Sequence, residues 1–270
     1  MIGRLKTGAR HVIGQHRRSS AVGVLHKVAS FIESAYANEG SEFSENGEQG
    51  VIDRLRPADL RTALDVGANF GDWTLEALAA WRNCRVHAFE VAPPTFKVLE
   101  AKIAASPFRD RASLNGFGLS DTNSTLPMFY FPDHPELTCD LPRHEYPATP
   151  FNAELRTGAE YAESAGLATI DFLKIDVEGA EHRVLKGFKS WLADGRIHCI
   201  QFEYGAFATQ TKFLLADFYA LLGERYWIGK IYRNYVDFRE YDWNIESFRF
   251  SNYCCVSKSR PDLRDLLQNS

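Results

Sequence analysis

The sequence is short of the features that would settle its class at a glance. No apolar run approaches the roughly 18 residues of a membrane-spanning helix, so no transmembrane segment is expected. The start, MIGRLKTGARHVIGQHRR, has no apolar signal-peptide core. Cysteine is sparse and odd in number: Cys84, Cys139, Cys199, Cys254 and Cys255 include no C-x-x-C pair, which argues against the common zinc and redox motifs. Cys199 and the Cys254–Cys255 pair sit in apolar runs, as small core residues do, so all five are expected to be reduced and the compartment cytoplasmic. There is no G-x-G-x-x-G and no phosphate-loop lysine, no internal repeat and no low-complexity tract. A net charge of −4 gives no ground for a nucleic-acid partner.

One absence is local. The first 30 residues contain no Asp or Glu but six cations: Arg4, Lys6, Arg10, Arg17, Arg18 and Lys27. The other 240 residues hold 25 basic and 35 acidic side chains, a balance of −10. Such a head is either a solvated arm or a surface for an anionic membrane or another protein. Residues 1–37 read as two helices and 38–50 as a polar, glycine-rich linker. The organisation expected is a basic helical segment with linker over residues 1–42, then one domain over 43–270.

What is present is regular. The 270 residues are 45% hydrophobic and 24% charged, enough for a sizeable core. Strand patterns at 62–68, 85–91, 112–120, 170–177 and 197–204 alternate with helix patterns at 71–81, 94–106, 179–195 and 211–225. That alternation predicts an α/β fold with a mostly parallel, doubly wound sheet. Strands at 226–232 and 252–258 have no helical pattern between them and suit an antiparallel C-terminal edge. A further short strand is read at 124–131. Residues 132–152, with five prolines, read as a long loop. The aromatic and histidine residues in and just before it, Tyr130, Phe131, His134, His144 and Tyr146, are either pocket lining or local packing.

In an open parallel sheet, ligands bind at the carboxyl ends of strands. The first strand ends at Asp65–Val66, and Gly67-x-x-x-Gly71 turns the chain into a helix; glycine there permits positive φ or a close backbone approach. Glu90 ends the second strand 25 residues after Asp65, placed to accept hydrogen bonds from both hydroxyls of a ribose. GLSD brings Leu119, Ser120 and Asp121 to a third tip, near where an adenine would lie. KIDVEGAE brings Asp176 and Glu178 to a fourth, and QFEY brings Glu203 to a fifth. Five strand tips bearing acids, Asp65, Glu90, Asp121, Asp176 and Glu203, repel one another, so stability alone does not explain them.

Taken in order, ALDVGANFGDWT, HAFEVAPPTF, NGFGLSD, IDFLKIDVEGAEHRVLKG and QFEY closely resemble FkbM-type methyltransferases, with FSENGEQG upstream and SNYCCV downstream also similar. The likeness covers about residues 43–257, and FLKIDVEGAE is its most specific phrase. HAFEV carries Val91 where the family often has proline. The resemblance implies a Rossmann-like class I methyltransferase fold and S-adenosylmethionine as cofactor. Asp65, Gly67, Ala68, Asn69 and Gly71 would hold its amino-acid part, Glu90 its ribose, and Leu119, Ser120 and Asp121 its adenine. Asp176, counted with the cofactor-binding set as well, and Glu178 would face the methyl group and the acceptor. The family's reactions are mostly O-methylations, so a hydroxyl on a sugar, glycan or secondary metabolite is the expected acceptor.

A hydroxyl acceptor must lose a proton, so a general base helps. Asp176 is the first choice, followed by Glu178 and Glu203; His182, His134 and His144 are further candidates. Asp176 and Glu203 alternatively hold Mg²⁺, which takes oxygen ligands and lowers the acceptor's pKa. Two readings outside this class stay open: another nucleotide-cofactor enzyme on the same fold, such as an NAD-linked oxidoreductase, and a non-catalytic scaffold with a relic fold. Tyr241, Trp243 and Phe248 suit either stacking on a sugar or closing the core.

Overall fold

The computed structural model describes residues 2–40, 42–141, 143 and 145–269. Two helices lead, α1 (Ile2–Gln15) and α2 (Ser20–Tyr36). Ser19 caps the second by accepting the Val22 N–H at 3.3 Å, one of the donors a helix start leaves unpaired. After α3 (Glu48–Arg54) come β1 (Thr62–Val66), α4 (Asp72–Ala80), β2 (Arg85–Phe89), α5 (Pro93–Ala104) and β3 (Ala112–Asn115). The parallel series resumes with β7 (Ile170–Ile175), α7 (Glu181–Gly187), α8 (Lys189–Ala193) and β8 (Ile197–Tyr204). It closes with α9 (Ala208–Thr211), α10 (Leu215–Leu222), β9 (Tyr226–Ile231), β10 (Val236–Phe238), β11 (Ser251–Ser257) and α11 (Pro261–Gln268).

These strands form one sheet in the order β10–β9–β11–β8–β7–β1–β2–β3. The five from β8 to β3 are parallel, and β11, β9 and β10 add antiparallel pairings at the other edge. The sheet is covered on both faces, which is why IDFLKI is buried at every position of β7. Alternate residues serve opposite cores. Leu64, Leu173, Ile200 and Phe202 pack with Val184, Leu185, Trp191 and Phe218 on one side. Ala63, Phe172, Cys199 and Cys254 pack with Ile52, Trp73, Trp81 and Leu263 on the other. This is the doubly wound, mostly parallel, Rossmann-like sheet with an antiparallel C-terminal edge that the sequence pattern predicts. All five cysteines are buried free thiols.

The region between β3 and β7 departs from expectation. The stretch 112–120 is not one strand: β3 stays in the main sheet, while β4 (Gly118–Ser120) joins a second sheet with β5 (Ser124–Tyr130) and β6 (Thr149–Thr157), in the order β4–β6–β5. The proline-rich loop therefore ends at 148 rather than 152, and its start is pinned by a Phe129–Cys139 bridge. A further helix, α6 (Gly158–Ser164), follows β6. The helix read at 179–195 is two, α7 and α8, and that read at 211–225 is α9 and α10. Asp121 follows β4, so the main sheet's carboxyl edge carries four of the five expected acids.

Candidate active site

Strand order reverses at β1, which lies between β2 and β7. A crevice must open there at the carboxyl ends, and a cavity of about 220 Å³ does. Gly67, Asn69, Glu90, Asp176, Glu178 and Glu203 line it, and the second sheet and the 135–140 segment complete its wall through Leu119, Leu126, Met128, Leu155 and Thr138.

The first turn divides the predicted residues by role. Gly67 has φ +83°, and a Cβ there would stand 1.8 Å from the Asp176 carbonyl oxygen, so no larger residue fits between the tips of β1 and β7. Asn69, also left-handed at φ +47°, donates its N–H to Glu90 Oε2 at 3.0 Å. Its own Oδ1 is buried with no hydrogen-bond partner among the described residues. Ala68 and Gly71 do not line the cavity. Ala68 packs with Ala88, Leu99 and Ile103, and a Cβ at Gly71 would come 2.5 Å from Leu99 Cδ1. Asp65 is fully buried behind the turn, where its Oδ2 accepts the Thr74 hydroxyl at 2.6 Å.

Glu90 accepts a backbone N–H on each oxygen, from Ala92 at 2.8 Å and Asn69 at 3.0 Å. Burial pushes its carboxyl up to about 7, with those N–H groups pulling the other way. Each oxygen keeps a lone pair for a further donor. Leu119 and Ser120 line the cavity, whereas Asp121 is exposed and lies outside the lining. The structure thus separates Asp121 from the other predicted residues, because β4 carries it on the second sheet.

At the tip of β7 the chain makes a tight turn. Glu178 (φ +55°) and Gly179 (φ +105°) are both left-handed, a conformation costly for a glutamate and held only by strong local bonding. Glu181 supplies it: Oε1 accepts the N–H groups of Val177 and Gly179, each at 3.1 Å. Burial raises the Glu181 carboxyl to about 7 despite these bonds. The turn aims Glu178 at Asp176 and Glu203, and one carboxylate oxygen from each lies within 4.8 Å of the others. Burial, then the Asp176 charge, raises Glu178 to about 8, while Arg143, whose guanidinium stands 2.6 Å away, pulls it down. Glu203 is raised well above the carboxylate range by burial and by Asp176 and Glu178.

A second cation beside Arg143 balances this edge. Lys174, buried within β7, places Nζ 3.1 Å from Asp176 and 3.5 Å from Asp65. Burial alone would discharge it, but Asp176, Asp65 and Glu48 outweigh that and raise its pKa. Glu48, buried at the start of α3, also lines the cavity, and it accepts from Asn46 and Gln201 at 2.6 and 2.7 Å.

The remaining candidates go elsewhere. His182 stacks on Phe213 at 4.7 Å, outside the cavity lining, and burial lowers its pKa. His134 packs against Tyr146, and Tyr146 against Phe131; this is local packing, and none of the three lines the cavity. His144 lies outside the described residues. Tyr241, Trp243 and Phe248 also stay out of the lining, with Trp243 mostly exposed. Glu48, Lys174, Arg143 and Glu181 were not singled out from the sequence. A signal existed for one: a lysine inside a doubly buried strand requires acids around it.

The profile of the methyltransferase FkbM domain matches residues 65–233. Methyltransferase sdnD of Sordaria araneosa is 29% identical over 152 residues, covering 46% of this chain and 59% of that protein. The 31-O-demethyl-FK506 methyltransferase FkbM of Streptomyces tacrolimicus is 31% identical over 163 residues, covering 49% and 60%. The chain therefore aligns with about three-fifths of the length of these relatives. Among solved structures, methyltransferase FkbM from Methylobacillus flagellatus aligns with TM-score 0.46 at 15% identity, over 73% of this chain and 44% of that one. With the domain profile matched over more than half of its length, the chain belongs to the FkbM methyltransferase family.

Proposed function

We propose that this protein is an S-adenosylmethionine-dependent O-methyltransferase acting on a hydroxyl of a sugar, glycan or other secondary metabolite. The observation that carries the proposal is the joining of the Gly67–Glu90 cradle and the Asp176–Glu178–Glu203 cluster in one cavity. The cofactor fits the chemistry of the donor set. Glu90 has acceptor capacity for a ribose diol; the apolar wall of Val91, Leu119 and Leu155 suits an adenine; the orphaned Asn69 Oδ1 and the surplus of carboxylates suit a ligand bearing cationic groups. Gly67 and Asn69 would hold the amino-acid end, with Asp65, Ala68 and Gly71 shaping the turn behind them. When bound, S-adenosylmethionine supplies a methyl carbon made electrophilic by its positive sulfur.

The chain's own residues have two tasks. The cavity walls align the acceptor oxygen and keep water out. The acidic cluster takes the hydroxyl proton: crowding and burial raise the proton affinity of Glu178 and Glu203, so one added proton is shared over the group. The oxygen acceptor is supported by these bases and by the name of one relative, a 31-O-demethyl-FK506 methyltransferase.

Isothermal titration with S-adenosylmethionine and S-adenosylhomocysteine tests the cofactor. One-site binding is expected, weakened at least about tenfold in Glu90→Ala, or roughly 1.4 kcal/mol, the scale of a lost charged hydrogen bond. Well-folded wild-type protein that binds neither compound would overturn the proposal.

A further inference from the structure

We infer that the two N-terminal helices form a docking surface for an anionic membrane, lying in the plane of its interface. The inference is independent of the methyl-transfer reading.

In α2, Val24, Leu25, Val28, Phe31 and Ile32 are between 50 and 73% exposed. Their spacing puts all five on one stripe of the helix. Its half-buried positions, among them Gly23, Ser30 and Ser34, fall on the opposite side. Apart from Val22, which is also half-buried, the helix turns small and polar residues inward and its apolar stripe outward, the reverse of a helix packed on its own core. None of its residues is buried. Val12 and Ile13 of α1 are exposed as well, at 55 and 52%. A contiguous exposed apolar face of this kind marks an interaction site.

Charge selects the partner. The first 30 residues hold six cations and no anion, against −10 for the rest of the chain. Arg10, Arg17 and Arg18 are exposed in α1 and the turn before α2, and Lys27 is exposed on α2 itself. Apolar residues on one face with cations flanking them is the composition of a helix that lies in a headgroup layer. Pairing of the stripe with the same stripe of a second copy would bring two sets of unbalanced cations together, which the charge pattern opposes. No described helix is long and apolar enough to cross a bilayer, so the mode is to lie on the surface.

Flotation of the full chain with phosphatidylcholine vesicles, with and without phosphatidylserine, tests this. Binding is expected to the serine-containing vesicles, at least about tenfold stronger than to neutral ones and falling as salt rises. Leu25→Glu/Phe31→Glu should abolish it, and Arg17→Glu/Arg18→Glu should weaken it, with circular dichroism and cofactor affinity unchanged. No flotation of wild type, or flotation unaffected by Leu25→Glu/Phe31→Glu, would overturn the inference. So would a concentration-dependent dimer in sedimentation that the same double substitution dissociates, which would assign the stripe to a second copy.

Discussion

Asp65 and Asp176 end neighbouring strands and share one cation, yet they do opposite work. Asp65 lies within β1, opposite Lys174 in the pairing with β7. It is fully buried, with Thr74 bonded to one oxygen and Lys174 near the other. Asp176 lies one residue past β7, with its side chain 37% exposed to the cavity and Lys174 behind it. Two residues of register separate a carboxylate that fixes the framework from one that faces the cavity. An acid at a strand tip is therefore not a site residue by position alone; what stands behind its oxygens decides.

Removing the shared cation breaks the comparison most severely. Lys174→Met leaves Asp65 buried without its countercharge and releases the repulsion among the cavity acids. A loss of about 3–5 kcal/mol is expected, the usual cost of orphaning a buried charge, and urea unfolding measures it. A loss below about 1 kcal/mol would mean that Asp65 is protonated or hydrated behind the turn. The two acids should then separate cleanly. Asp176→Asn should lower kcat about 100-fold, the scale of general acid–base assistance, with little change in melting temperature. Asp65→Asn should cost about 2 kcal/mol of stability while kcat stays within a few-fold. Equal losses of activity in both variants would erase the distinction.

The same contrast explains what was legible in the sequence. Parallel strands buried on both faces announce themselves as apolar runs, so the tips at Asp65, Glu90, Asp176 and Glu203 were placed correctly. Of the second sheet only β5 is legible, as the short strand at 124–131; β4 has three residues and runs on from β3 in the pattern, and β6 carries Pro150 inside the stretch that reads as loop, where proline argues against strand. Asp121 was assigned to the main sheet for that reason. Asp65 looks the same as the cavity-facing acids in the sequence, because its pairing with Thr74 and Lys174 is a matter of side-chain direction. Arg143 reaches Glu178 from a loop, and Glu48 reaches the cavity from a helix remote in sequence, and no local pattern encodes those meetings.

Proton affinity sharpens the comparison within the cluster. Glu178 is raised from about 4.5 to about 8 in the folded chain. The native state therefore binds more protons than the unfolded chain between those values, so this group's contribution to stability is present below 4.5 and is lost as pH rises through 8. Activity should run the other way. Below about pH 8, kcat should rise with pH by up to about tenfold per unit as the cluster loses its shared proton. Glu178→Gln should flatten both trends. A kcat profile level from pH 6 to 9 in the wild type would remove the cluster from the proton-transfer step.

The smallest effect expected is that of metal removal. Asp176, Glu178 and Glu203 present oxygens close enough together to chelate a divalent ion, and Asp176 with Glu203 is the pair the sequence suggests for Mg²⁺. Yet the Lys174 ammonium already stands 3.1 Å from Asp176, where it supplies positive charge that a dication would have to oppose. Mg²⁺ also demands near-octahedral oxygen coordination, with water completing a sparse protein set. If Lys174 and Arg143 are the cations of this cluster, chelation with EDTA should change the rate by less than about twofold. Loss of activity on chelation, restored by Mg²⁺, would show instead that the open carboxylates hold a metal and that Lys174 serves Asp65 alone.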